Sequence, residues 1–356
     1  MRAATSVIRR GVNTRKKRPA ARTQVGSAAN YPANLIGPIQ VEEGSLDLLH
    51  LLLTGMRFSL LAITGAFMLG TAPLLPAAAQ TPAAAARPTL PGTPPPVPAA
   101  TASKLVKGSV GKTQIEWYGH AAFKITTPTG KVLLIDPWLT NPLNATGAAD
   151  VEALTQADLI LISHGHADHV GDAVKIAQQT KAHLVAPYDL GQALTAYAGF
   201  PAEQSTGRTQ GNIGGQLVLL DGEVTIQFTP AMHGSTVTDA QQLPHGAGNP
   251  CGFLIIVKDG PTIYHTGDTG LFSDMALLPK VKKVDVMLAC IGDHFVMGPE
   301  QAADAVKLVA PSVVIPMHYG TFPALRGTAA QFRAALQARK LKPHVEVMDV
   351  HQTLTY

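Results

Sequence analysis

From about residue 104 onward, apolar positions come in short bursts whose spacing predicts an α/β domain over 104–356. Runs rich in Ile, Val and Phe predict strands at 113–118, 122–126 and 131–135, the last two turned at Pro128-Thr129-Gly130. An unbroken aliphatic run predicts a buried strand at 159–162, with a helix over 169–179 after it. A strand at 183–186 and a helix at 190–197 come next. Strand pairs are expected at 216–220 with 224–228, around Asp221-Gly222, and at 252–257 with 262–265, around Asp259-Gly260. A strand at 284–289 leads to a helix with Pro299 at its first position and Glu300 in its first turn. Strand 313–316, helix 329–339 and strand 345–348 close the chain. Hairpins, strand–helix alternation, hairpins and alternation again make the rhythm of a four-layer αββα sandwich. Periodicity alone leaves a generic doubly wound α/β fold open.

Before this domain the texture differs. Residues 1–47 show neither helical nor strand period. Met56-Arg57-Phe58-Ser59 is a short positive start, 60–75 is mostly apolar, and Pro76-Ala77-Ala78-Ala79-Gln80 supplies small residues. That order is the pattern of a secretory signal peptide over 56–79, with 1–55 as a non-native or disordered extension. The expected mature protein is exported to a periplasm, and is anchored in the membrane instead if 56–79 stays uncleaved. Residues 80–103 are rich in Pro and Ala and read as a semi-rigid tether.

Charge follows the same division. Residues 1–79 hold nine Lys/Arg and three acidic residues, leaving 19 basic against 21 acidic residues for the rest. The net +4 thus belongs to the leader, and the body carries no bulk attraction for nucleic acid. Aromatics at 5% argue the same way, because single-strand binders stack bases on such rings. Cys251 and Cys290 are too few for a disulfide scaffold or a Cys-rich zinc module, and each adjoins a buried strand, so unpaired thiols are expected.

Histidine is the unusual residue, with 13 copies. Ser163-His164-Gly165-His166-Ala167-Asp168-His169 stands where the 159–162 strand ends. Side chains two apart on extended backbone share a face, so His164 and His166 can grip one ion. Asp168 and His169 fall where the chain turns into a helix and can address a second. Imidazole and carboxylate suit Zn, Mn or Fe.

This segment resembles the signature of the metallo-β-lactamase superfamily, and further positions of the family pattern follow in order. They are Asp136 after a strand, His233 in Pro230-Ala231-Met232-His233-Gly234, Asp268 in His265-Thr266-Gly267-Asp268, and His318 in Pro316-Met317-His318-Tyr319. Trp117-Tyr118-Gly119-His120-Ala121, Asn249-Pro250-Cys251-Gly252-Phe253 and Ile291-Gly292-Asp293-His294-Phe295 are similar to one branch of metal-dependent hydrolases. That branch has ascorbate-6-phosphate lactonases and N-acylphosphatidylethanolamine phospholipases D among its relatives. The resemblance implies the αββα fold and two divalent ions, Zn foremost, with Mn or Fe as alternatives. It implies His164, His166 and His233 at the first ion, Asp168, His169 and His318 at the second, and Asp268 as the bridge. It further implies hydrolysis of an ester, lactone or phosphodiester in a small-molecule substrate by a metal-activated hydroxide. Asp168 is the residue suited to orient the water and handle its proton, and His120 and His294 are candidate proton donors or substrate contacts. Asp136 is expected to steady a ligand histidine through its other ring nitrogen. His265 is read as structural. An iron-dependent oxidative or thiol-handling activity, β-lactamase activity, and association into homo-oligomers stay open.

Overall fold

A computed structural model describes residues 111–356, so the signal peptide, the tether and the extension expected before them lie outside the described residues. In chain order the strands are β1 (Gln114–Trp117), β2 (Phe123–Thr126), β3 (Val132–Ile135), β4 (Leu159–Leu161), β5 (His183–Pro187), β6 (Gln210–Gly211), β7 (Gln216–Leu219) and β8 (Val224–Pro230). They continue as β9 (Thr236–Thr238), β10 (Pro244–Gly246), β11 (Cys251–Val257), β12 (Thr262–His265), β13 (Val286–Cys290), β14 (Val313–Met317), β15 (His344–Val345) and β16 (Thr353–Thr355). The helices are α1 (Gly147–Ala153), α2 (Ala167–Val170), α3 (Ala173–Thr180), α4 (Tyr188–Tyr197), α5 (Leu278–Val281), α6 (Pro299–Val309) and α7 (Ala329–Ala338).

Two seven-stranded sheets result, ordered β16-β1-β2-β3-β4-β5-β6 and β15-β14-β13-β12-β11-β8-β7. Each is antiparallel in one half and parallel in the other: β1–β2–β3 and β8–β11–β12 are antiparallel, whereas β3–β4–β5 and β12–β13–β14 are parallel. Parallel strands need covered faces on both sides, and their sequences are correspondingly apolar throughout. Leu133, Ile135, Leu159 and Leu161 join Phe228, Phe253 and Ile263 in the core between the sheets. The alternate residues Leu134, Ile160 and Leu184 pack instead with Ile176, Leu190 and Leu194 of α3 and α4. Ala303, Val306 and Phe332 of α6 and α7 cover the second sheet. The period of two along each strand therefore builds four layers, the αββα sandwich the sequence rhythm led one to expect.

Several expectations need correction. The helix expected over 169–179 is two helices, α2 and α3, broken at Gly171-Asp172. Gly171 has φ +41°, and a Cβ there would lie 2.4 Å from the Cα of Trp138. The loop carrying Trp138 thus presses on the chain where a continuous helix would run. Gly171→Ala adds left-handed strain and a backbone collision, for an expected loss of about 2–4 kcal/mol, read as the shift in urea midpoint. The strand expected over 345–348 shrinks to β15, and the chain end returns as β16 to pair with β1 in the first sheet. Two segments to which the sequence pattern gives no element carry structure: α1 begins within 137–150, and β9 pairs with β10 within 236–250. Cys251 and Cys290 are buried free thiols, and burial pushes both up, Cys290 to about 11. Among the described residues, no helix is long and apolar enough to cross a membrane.

Candidate metal centre

The carboxyl ends of strands from both sheets converge at one end of the sandwich. Asp136 follows β3, Ser163 to His169 follow β4, His233 lies beyond β8, Asp268 beyond β12, and His318 directly after β14. Open α/β sheets commonly place ligands at such strand ends. His120, in the β1–β2 turn, locks the two sheets together there: its carbonyl accepts from the His318 N–H at 3.0 Å and from Trp117 Nε1 at 3.1 Å. His120, Asp136 and His318 all adopt positive φ (52°, 43° and 57°), a conformation that costs a non-glycine residue energy and recurs where function fixes the backbone.

Three donor groups share this end, each with its ligand atoms within 4.8 Å of one another: His164, His166 and His233; His120, Asp168, His169 and His318; and His164, His169 and Asp268. Within the first, His164 Nε2 and His166 Nδ1 are 3.0 Å apart. Asp268 stands between the groups. Its Oδ1 is 3.3 Å from His169 Nε2, and its Oδ2 is 3.0 Å from His318 Nε2 and 3.6 Å from His233 Nε2. His169 Nε2, His318 Nε2 and Asp268 Oδ1 are buried without a hydrogen-bond partner. Buried polar atoms are nearly always paired, so lone pairs left converging in this way fit cation ligands. The donor set, imidazoles and carboxylates with no thiolate, fits Zn, Mn and Fe alike.

Asp136 organises the wall behind these donors. Fully buried, it accepts from the Ser163 N–H and Ser163 Oγ, both at 2.7 Å, and faces His169 Nδ1 at 2.8 Å. Burial disfavours a charged His169, but the carboxylates of Asp268 and Asp136 outweigh it and hold this imidazole well above its ordinary range. Asp268 shows the mirror effect: burial would raise it, yet His169 and His318 keep it well below the carboxylate range. A cation held by His169 and Asp268 would displace the imidazole proton, so metal binding here would release protons. Burial holds His164, which lies among other histidines, well below the imidazole range, leaving it neutral and ready to ligate.

His120 proves to be wholly buried, with Nε2 at 3.2 Å from Asp168 Oδ2 and Nδ1 at 2.8 Å from Thr321 Oγ1. Burial lowers its pKa to about 4, against the pull of Asp168, so the ring is neutral at pH 7. A carboxylate only accepts, so the single ring proton sits on Nε2 and the Thr321 hydroxyl donates to Nδ1. Thr321, missed in the sequence, thus fixes a tautomer from 201 residues away. His294 is placed differently from the others. It is exposed, belongs to none of the three groups, and packs edge-on against its neighbour Phe295. His265 spends both ring nitrogens on backbone, at Ala121 O and Gly267 N. A cavity of about 230 Å³ opens over the donors, lined by His166, Asp168, His233, Asp268, His318, Phe295 and Phe322.

Residues 131–319 match the family model of the β-lactamase superfamily domain. A UPF0173 metal-dependent hydrolase of Thermodesulfovibrio yellowstonii is 52% identical over 252 residues, which cover 70% of this chain and 94% of that protein. The chain belongs to the UPF0173 metal-dependent hydrolases of the metallo-β-lactamase superfamily. A relative of the same name from an Anaeromyxobacter strain is 51% identical over 68% of this chain and 86% of its own. Among solved structures, Igni18, a metallo hydrolase of Ignicoccus hospitalis, is 35% identical with a TM-score of 0.57, covering 69% of this chain and 98% of that one. An isothiocyanate hydrolase from Delia radicum gut bacteria shares the fold, with 20% identity and a TM-score of 0.52, over 68% of this chain and 98% of that chain. This UPF0173 chain is thus a metal-dependent hydrolase, and its converging His/Asp donors are the candidate metal ligands.

Proposed function

We propose that this hydrolase holds two divalent ions, Zn foremost, and cleaves an ester, lactone or phosphodiester bond of a small molecule. The observation that carries this is that the two ligand sets meet at Asp268, whose Oδ2 lies 3.0 Å from His318 Nε2 of one set and 3.6 Å from His233 Nε2 of the other. His164, His166 and His233 would hold one ion and Asp168, His169 and His318 the other, with Asp268 within reach of both. When bound there, such ions would supply an activated water and stabilisation of charge developing on the attacked group. The protein does the rest. Asp136 aims His169 through Nδ1, and His120, set by Thr321, aims the Asp168 carboxylate through Nε2–H. Asp168 lines the cavity, where it orients the attacking water and accepts its proton. Export to a periplasm after cleavage of 56–79 is part of the same reading and rests on the leader's sequence pattern.

Metal analysis of protein purified without added metal, run beside ester, lactone and phosphodiester substrates, tests this reading. We expect about two ions per chain and turnover of at least one bond class. His166→Ala is expected to lose metal and most activity together. Full activity with unchanged metal in that variant refutes the ligand assignment, and iron content with no hydrolysis favours the oxidative alternative.

A further inference from the structure

The lining of the cavity divides sharply by chemistry. Five of its seven residues, His166, Asp168, His233, Asp268 and His318, belong to the donor groups, and the remaining two are Phe295 and Phe322. Among the described residues, no lysine, arginine, serine or amide side chain lines it. A substrate atom beyond the reacting bond therefore meets phenyl rings, with nothing to pair a sugar hydroxyl or a charged headgroup.

The rings are placed there by the backbone. Phe295, 56% exposed, shares the cavity lining with Phe322, so the two rings form an apolar rim beside polar donors, the kind of patch that marks a ligand groove. Phe295 follows Asp293 and His294, both left-handed at φ 65° and 60°. The loop is pinned to the floor of the site, since Asp293 N–H donates to Met297 O, and Met297 N–H donates to the carbonyl of Thr269 beside Asp268. Phe322, 36% exposed, stacks on Trp138 with centroids 5.7 Å apart and planes at 22°. Trp138 meets the His120 ring edge-on at 5.3 Å, so this aromatic wall is continuous with the buried polar machinery. At about 230 Å³ the cavity is smaller than the roughly 300–1,000 Å³ of ordinary ligand pockets, so it holds the reacting group and little more. The rest of the substrate lies on the rings.

We infer that the substrate carries an apolar acyl or aryl group next to the scissile bond, seated on Phe295 and on Phe322, which Trp138 backs. This rests on the hydrolase reading above and adds the substrate class to it. The test has two arms on the zinc-loaded, full-length protein. In the first, butyrate, hexanoate, octanoate and 4-phenylbutyrate are titrated against tryptophan fluorescence, which has only Trp117 and Trp138 as sources. Affinity is expected to rise about two- to fourfold per methylene, the upper value being that of a fully buried CH₂. In the second, kcat/KM for 4-nitrophenyl acetate, butyrate, hexanoate and octanoate is expected to rise with the same slope. Phe295→Ala is expected to flatten both slopes, and Phe295→Leu to restore them. Binding graded by chain length without ester turnover upholds the apolar seat and refutes the ester assignment. Ester turnover or carboxylate binding that ignores chain length, or a slope unchanged in Phe295→Ala, overturns the apolar seat while leaving the hydrolase reading in place. Absence of both binding and turnover overturns it as well.

Discussion

Asp168→Asn is expected to lower kcat by about 10²–10⁴-fold, the usual contribution of a positioned proton acceptor, with a much smaller change in KM. Asp168 is one of the few donors open to the cavity, its side chain 25% exposed. Its Oδ2 lies 3.2 Å from His120 Nε2 and 3.9 Å from His318 Nε2. Burial would raise this carboxyl, but the bond from His120 and the charge of His169 keep it well below the ordinary range. It is therefore ionised in the metal-free protein, and a cation in place of the His169 proton would keep it so, able to hold a water by one of its protons. The amide of Asn keeps shape and one acceptor but cannot take a proton, so the loss falls on turnover. Steady-state kinetics with metal content measured in parallel decide the matter. A raised KM at unchanged kcat removes Asp168 from the chemistry.

The second large effect is expected at a residue that neither lines the cavity nor belongs to the three donor groups. Asp136→Ala strips one acceptor from each of three buried partners, Ser163 N–H, Ser163 Oγ and His169 Nδ1. Removing one member of a buried, hydrogen-bonded pair costs about 3–5 kcal/mol, because the other is left uncompensated. Outer partners of metal ligands also tune affinity, typically by about 10–100-fold. The expected variant is less stable in urea when metal-free and binds zinc about 10–100-fold more weakly, with His169 no longer held in register. Wild-type zinc affinity in Asp136→Ala would show that His169 is positioned by packing alone.

How much of this was legible in the sequence varied with the range of the forces involved. Strands such as Val132–Ile135 and Leu159–Leu161 were plain because burial on both faces demands unbroken aliphatics. Histidines two apart after a strand encode a shared face locally, so the His164–His169 cluster could be read directly. The break at Gly171 could not, since it answers to Trp138, a contact across 33 residues. Strand β16 escaped for a similar reason: Thr353-Leu354-Thr355 is too short to signal alone and is fixed by pairing with β1. At the mouth of the site the miss was a single residue. The Ile291–Phe295 motif drew attention to His294, but consecutive left-handed residues at 293 and 294 turn the chain so that Phe295 lines the cavity. His120 was found by motif, while its tautomer depended on Thr321 at the far end of the domain.

The central claim is that two ions sit together, shared by Asp268. Anomalous diffraction from crystals of the protein as purified, collected at the absorption edge of the bound metal, tests it most directly. Two peaks are expected, one among His164, His166 and His233, the other among Asp168, His169 and His318, with Asp268 touching both. A single peak, or none within this cluster, would contradict the binuclear centre.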